Sequence, residues 1–177
     1  MDERTIIMMN TAKPGKIDND MDQAGIASAR LSENAEHDLL ANEDILELLN
    51  ILLEAERAGA RAVQVLSKQT RDAVTGETLQ EIAVDEGRFC VMLNQHINRL
   101  GGRPSKKTGD FFEKLMALEQ FDDKLDLLDR GQSWVVRKIR GALARIGDEK
   151  LHADLLDMLK VHEINIKSAA SLRKADW

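Results

Sequence analysis

An all-α fold, built from four long helices with one long connection between the second and third, follows from three features of this 177-residue chain. Four separate windows after about residue 42 carry apolar residues at three- and four-residue steps, the spacing of one helix face. Those windows are rich in Leu, Ala, Glu, Lys and Arg. Tyr is absent, Pro occurs twice and aromatics make up 3% of the chain, a mixture that favours helix over sheet. Glycines at 101–102 and 147 fall between windows, where helices stop.

Residues 1 to about 40 stand apart. Eight acidic side chains (Asp2, Glu3, Asp18, Asp20, Asp22, Glu33, Glu36, Asp38) face four basic ones (Arg4, Lys13, Lys16, Arg30), and the apolar periodicity is weak. The expectation is a mobile acidic N-terminal arm over 1–40 and a helical domain over 41–177. Asp18–Asp22 is not a calcium loop, because Gln23 and Ala29 stand where such a loop needs Gly and Glu.

The first long helix begins at Asn42, read as its cap, with Glu43 and Asp44 favourable to the dipole in the first turn, and runs to about Gln69. A turn around Thr75-Gly76 opens the second, which stops at Leu100-Gly101-Gly102. Residues 101–109 read as loop, and Asp110 caps a short helix through Phe111, Leu115 and Leu118. The third long helix covers about Gln120 to Ile146. Gly147-Asp148 then serves as stop and cap, and the fourth runs to about Arg173.

Composition removes several classes of function. A formal charge of −6 disfavours nucleic acid as a partner. No apolar run approaches the roughly 20 residues that cross a membrane, and Met1-Asp2-Glu3-Arg4 lacks the positive charge of a signal peptide. The single Cys90 allows no intrachain disulfide and suits a reducing compartment. The expected location is the cytoplasm, and the expected partner, if any, is a second copy docked through a helix face.

Chemistry enters through polar residues on the apolar stripes. In the first helix the stripe Ile45, Leu49, Leu52, Gly59, Val63, Leu66 passes through Glu56, while Glu54 falls on the polar side. The second stripe passes through Glu86 and the third through Gln132. In the fourth, Leu156, Leu159, Ile166 and Ala170 put Glu163 on the inner face. A buried carboxylate needs a cation, a proton or a dense set of donors, so one central polar residue on every long helix points to a built layer rather than to chance. Cys90, one turn from Glu86, and His162, beside Glu163, are further candidate metal ligands; each also has a bland reading, as a small core residue and as a satisfied structural histidine. Arg130 and Arg137 are the candidates for charge compensation from inside, through bidentate pairs. Glu149-Lys150-Leu151-His152 has E-x-x-H spacing but lies at a helix start, where Glu149 reads as a surface residue.

These residues carry a family resemblance. Leu49-Asn50-Ile51-Leu52-Leu53-Glu54-Ala55-Glu56 resembles the first-helix L-N-x-L-L-x-x-E segment of bacterioferritins, and Asp85-Glu86-Gly87-Arg88-Phe89 resembles their second-helix D-E-x-x-H. Glu163-Ile164-Asn165-Ile166 falls at their second E-x-x-H, and Gln132 where the third helix gives a glutamate. The chain is also similar to a group of uncharacterised bacterial ferritin-like proteins through Leu53–Gly59, Arg130–Arg137 and His162–Ile166. The resemblance spans about residues 43–173 and implies a ferritin-like four-helix bundle, with a short helix in the long connection. Iron or another divalent metal is the cofactor it implies, on Glu56, Glu86 and Glu163. However, Phe89 and Ile166 replace both histidines, so a degenerate di-iron site is the leading expectation, in a structural or interaction module. Two alternatives stay open: an iron-handling or oxidase protein using the core glutamates, and a small-molecule binder with the polar layer at the base of its cavity. The residues leave open whether the chain is an enzyme.

Overall fold

The computed structural model describes residues 39–172, and these are all-helical, with no strand among them. The acidic arm expected over residues 1–40 lies outside the described residues apart from Leu39 and Leu40. Five helices follow in order: α1 (Asn42–Gln69), α2 (Ala73–Arg99), the short α3 (Phe111–Met116), α4 (Phe121–Leu143) and α5 (Glu149–Leu172). At 28 residues, α1 is about 42 Å long.

The helix ends show which local signals govern. Ala41, not Asn42, occupies the α1 cap position and gives no side-chain cap bond; Asn42 instead donates to the Leu100 carbonyl at 3.4 Å. The α2 cap is Asp72, whose carboxylate accepts from the Thr75 amide at 2.7 Å. Thr75 and Gly76, expected as the turn, therefore sit inside the first turn of α2. Its end follows the glycine signal: Gly101 has φ +80, its amide donates to Asn98 O at 3.1 Å and that of Gly102 to Ile97 O at 2.8 Å. This paired closure needs a residue at ease in the left-handed region. Asp148 caps α5 by accepting from the Leu151 amide at 2.8 Å.

Each long helix packs on two of the others: α1 on α2 and α4, and α5 on α2 and α4. The buried apolar residues fall into two clusters. One joins Leu49, Leu52, Phe89, Leu93, Ile139, Leu155 and Met158; the other joins Val63, Leu66, Leu79, Ile82, Leu125, Leu128 and Ala169. The chain enters the first cluster before the second in α1 and α5, and the second before the first in α2 and α4. So α1 and α5 run one way and α2 and α4 the other, and the connection from α2 to α4 must travel back along the helices.

That connection is strapped to α1. Asn50 Oδ1 accepts from the Ser105 amide at 2.6 Å, Ser105 Oγ donates to the Glu54 carboxylate, and the Gly109 amide donates to Glu54 O at 3.5 Å. Arg57 Nη1 donates to the carbonyls of Ser105 at 2.5 Å and Lys107 at 3.0 Å. Glu54, expected in solvent, is therefore half-buried under the strap. Beyond the strap, α3 wedges between α1 and α4, which touch each other only sparsely. Gly131 lets α3 approach: a Cβ there would stand 2.8 Å from the Phe111 ring.

Arg57→Ala leaves two loop carbonyls without their charged donor. The expected loss is about 1–3 kcal/mol in denaturant unfolding, with faster amide exchange confined to residues 103–109. Unchanged exchange across that segment would show that the strap does not depend on Arg57.

Candidate functional site

Between the two apolar clusters lies a polar layer, because the inward position at mid-height is polar on all four long helices. Glu56 and Glu86 are each 2% exposed, Gln132 4% and His162 0%. Gln132 Nε2 donates to Glu86 Oε1 at 2.5 Å. His162 Nε2 stands 3.2 Å from Glu56 Oε1, and its Nδ1 3.0 Å from the Met158 carbonyl oxygen. A carbonyl only accepts, so Nδ1 carries hydrogen, and the Nε2–carboxylate contact then requires a second proton between His162 and Glu56. The Phe89 ring packs against the imidazole, centroids 5.5 Å apart.

The structure brings Glu56, Glu86 and Gln132 together but leaves Glu163 out. Glu163 is half-buried and paired with Arg140 at the surface. The inner face of α5 is rotated from the stripe read in the sequence: Leu151, Leu155, Met158, His162, Asn165, Ala169 and Leu172 are buried, and of the expected stripe Leu159 is buried with them. Glu163 is displaced because His162 takes its place. Asn165, which sequence reasoning missed, is buried on the same face and donates to Asp85 at 3.4 Å. Asp85 leads outward through Arg88 to Asp157. The His162/Asn165 pair at three-residue spacing was the available signal.

Arg130 and Arg137 do not compensate the layer, since both are exposed. Cys90 is half-buried, and its thiol is pushed up to about 12 by burial and by the nearby Glu56 carboxylate, which makes it a poor thiolate ligand. Glu149 is exposed. A second buried histidine, His96, ties α2 to α5: its Nε2 bonds Asp154 at 2.7 Å and its Nδ1 accepts from Arg99 at 3.0 Å.

Burial drives the Glu86 carboxyl well above its ordinary value of 4.5, the Glu56 charge pushes the same way, and the Gln132 bond only partly offsets them. Burial alone would lower His162, but the Glu56 charge and hydrogen bond outweigh it, helped by Met158, so the net shift is upward from 6.5. Glu86 keeps its position through Gly59, where a Cβ would fall 2.8 Å from Glu86 Cδ.

A two-metal carboxylate centre does not fit these residues. Such a centre takes a glutamate from two helices and Glu-x-x-His from the other two. Here Phe89 and Ile166 are apolar, Glu163 is turned to Arg140, and the Gln132 amide donates into the layer. Among the described residues no three His, Cys, Asp or Glu side chains form a group able to hold a metal.

What the layer does have is unpaired oxygen. Glu56 Oε2, Glu86 Oε2 and Gln132 Oε1 are buried with no hydrogen-bond partner. Their side chains form the inner wall of a cavity of about 510 Å³ between α1, α3 and α4, whose remaining wall is mainly apolar: Ile51, Phe111, Leu127, Leu128, Trp134 and Val135. Asp110, Lys114 and Arg130 also contribute to its lining. No helix among the described residues is long and apolar enough to cross a membrane.

Residues 43–171 match a family described as a domain of unknown function, DUF6306. No curated protein matches the chain.

The two raised groups set a pH dependence. A raised His162 contributes stability in full below its unfolded value near 6.5, and that contribution is lost as pH climbs through the folded value. A raised Glu86 contributes below about 4.5 and loses it the same way, so both slopes have one sign. Asp148 and Asp154, lowered from 3.8, lose their contribution only under acid. The melting temperature is therefore expected to fall between about pH 6 and 9, with Glu86→Gln giving a flatter profile and the higher value at the alkaline end. A wild-type profile that rises over this range would refute the protonated layer.

Proposed function

The chain belongs to the DUF6306 family, and we propose that it is a small-ligand binding module on a ferritin-like four-helix bundle whose di-iron site has degenerated. The observation that carries this reading is a cavity of about 510 Å³ lined by Glu56, Glu86 and Gln132, each of which keeps one buried oxygen without a protein partner. Ligand sites are typically concave, of roughly 300–1,000 Å³, with mostly apolar walls and a few converging polar groups. A purely structural module has no need of a cavity that leaves buried acceptors unpaired.

The ferritin-like part rests on three supports. The long α2–α4 connection reverses direction along the helices, as a single crossover in that fold does. Glu56 and Glu86 occupy the positions of the bacterioferritin-like motifs. The polar layer sits at mid-height on all four long helices. An oxidase reading is disfavoured by the donor set, in which both expected histidines are apolar and Glu163 is engaged by Arg140. A lone Cys90 with a raised thiol pKa suits residence in the reducing cytoplasm.

Metal content decides between binding module and metalloprotein. Protein purified without chelator is expected to hold well below one metal ion per chain, and its melting temperature to be indifferent to chelator. About two iron atoms per chain, with a large chelator-induced drop in melting temperature, would overturn the degenerate-site reading.

A further inference from the structure

The chemistry of the unpaired atoms narrows what the cavity takes, granted that it is a ligand site. Glu56 Oε2, Glu86 Oε2 and Gln132 Oε1 have no protein partner, and all three accept once an incoming cation displaces the proton that burial favours on Glu86. The donors of the layer are committed: Gln132 Nε2 to Glu86, His162 Nε2 to Glu56 and His162 Nδ1 to Met158. An anion at the layer would face two carboxyl groups and no free side-chain donor there; Lys114 of α3 and Arg130 of α4 also line the cavity but are exposed and do not belong to the layer. A divalent cation takes six or more oxygen donors, or four tetrahedral ligands, and no three-carboxylate or imidazole group is assembled for one among the described residues. A wholly apolar ligand would leave three acceptors buried and unpaired. One common group supplies three N–H donors and a positive charge together: a primary ammonium.

We propose that the cavity binds a primary amine in its ammonium form, with the –NH₃⁺ head among Glu56, Glu86 and Gln132 and an apolar tail along Phe111, Trp134 and Leu128. The three hydrogens match three acceptors in number, and two of those acceptors are carboxylates, so the contacts are charge-assisted and stronger than neutral ones. The tail lies against rings and aliphatic side chains, where burial of apolar surface adds to binding. The ammonium head and apolar tail thus follow the polar and apolar parts of the cavity wall.

The test compares three probes of equal length, hexylammonium, hexanol and hexanoate, titrated into the full chain near pH 7 by calorimetry. Trp134 fluorescence in a Trp177→Phe background reports occupancy of the cavity. Hexylammonium is expected to bind at least about tenfold more tightly than hexanol, and hexanoate most weakly. Glu86→Gln should remove that preference, so that hexylammonium and hexanol bind the variant with similar affinity, and Glu56→Gln supplies the same test if the first variant does not fold. Leu127→Trp, which fills the cavity away from the layer, should abolish binding of all three. Hexanol binding as tightly as the amine would overturn the ammonium assignment but leave the cavity as a ligand site. An amine preference that survives in both glutamate variants would overturn the placement of the head. Failure of every probe to bind would overturn the binding-module reading itself.

Discussion

Two carboxyl groups and an imidazole held at the mid-plane of an otherwise apolar core impose the constraint that organises the rest of this protein. Each of Glu56, Glu86 and His162 is at least 98% buried, and charge placed so deeply must be neutralised or hydrogen-bonded. The protein meets that demand locally. His162 crosses from α5 to Glu56, Gln132 crosses from α4 to Glu86, and Gly59 withholds a side chain that would occupy the space of the Glu86 carboxyl. The layer also splits the apolar core into two clusters, so each long helix buries two apolar segments around a polar step. Helix phase is thereby fixed more tightly than by a continuous apolar stripe, because rotating any helix would bury an unpartnered polar group or withdraw a needed partner.

The same architecture opens one side. The α2–α4 connection has to return along the helices, and it does so bound to the outer face of α1 by Asn50, Glu54 and Arg57. It delivers α3 into the seam between α1 and α4. A six-residue helix cannot fill a seam shared by helices of 28 and 23 residues, so space remains beside it. That space reaches the polar layer because Glu56 and Gln132 belong to the two helices that α3 separates. The cavity is therefore a consequence of how the connection is routed, and its polar floor is a consequence of the layer.

Much of this was legible in the sequence. All five helices fall where the periodicity and glycine punctuation put them, and the α1, α2 and α4 stripes, including Glu56, Glu86 and Gln132, face inward as read. The α5 phase was not legible. Leu156, Leu159, Ile166 and Ala170 form a plausible stripe, of which Leu159 alone is buried; the true one carries His162 and Asn165, and Ile164 is left 58% exposed. Apolar periodicity misleads where a polar layer interrupts the inner face, and it favours Glu163 over His162 for that reason. The cap residues failed at a finer level: Asp72 outcompetes the Thr75-Gly76 turn signal because a carboxylate aimed at a free amide stabilises a helix start directly. The cavity had no sequence signature, since it depends on how α1 and α4 separate around α3.

Two glutamates in the core pose a charge problem that groups of this chain can meet by themselves. In a two-metal centre four carboxylates balance the cations, and without metal their mutual repulsion must be absorbed by protons or by movement. Here Glu163 lies outside the layer, paired with Arg140, and α4 contributes the Gln132 amide. Only two acids remain inside. One faces an imidazole whose raised pKa favours the imidazolium, and the other has its pKa driven well upward by burial and by its neighbour. With an imidazolium beside Glu56 and a proton on Glu86, the layer approaches neutrality using only groups of this chain. It also retains three oxygen atoms without protein partners, one of them on Glu86, which becomes an acceptor when a cation displaces its proton. On the reading proposed above, a layer balanced this way favours a cation that brings its own donors.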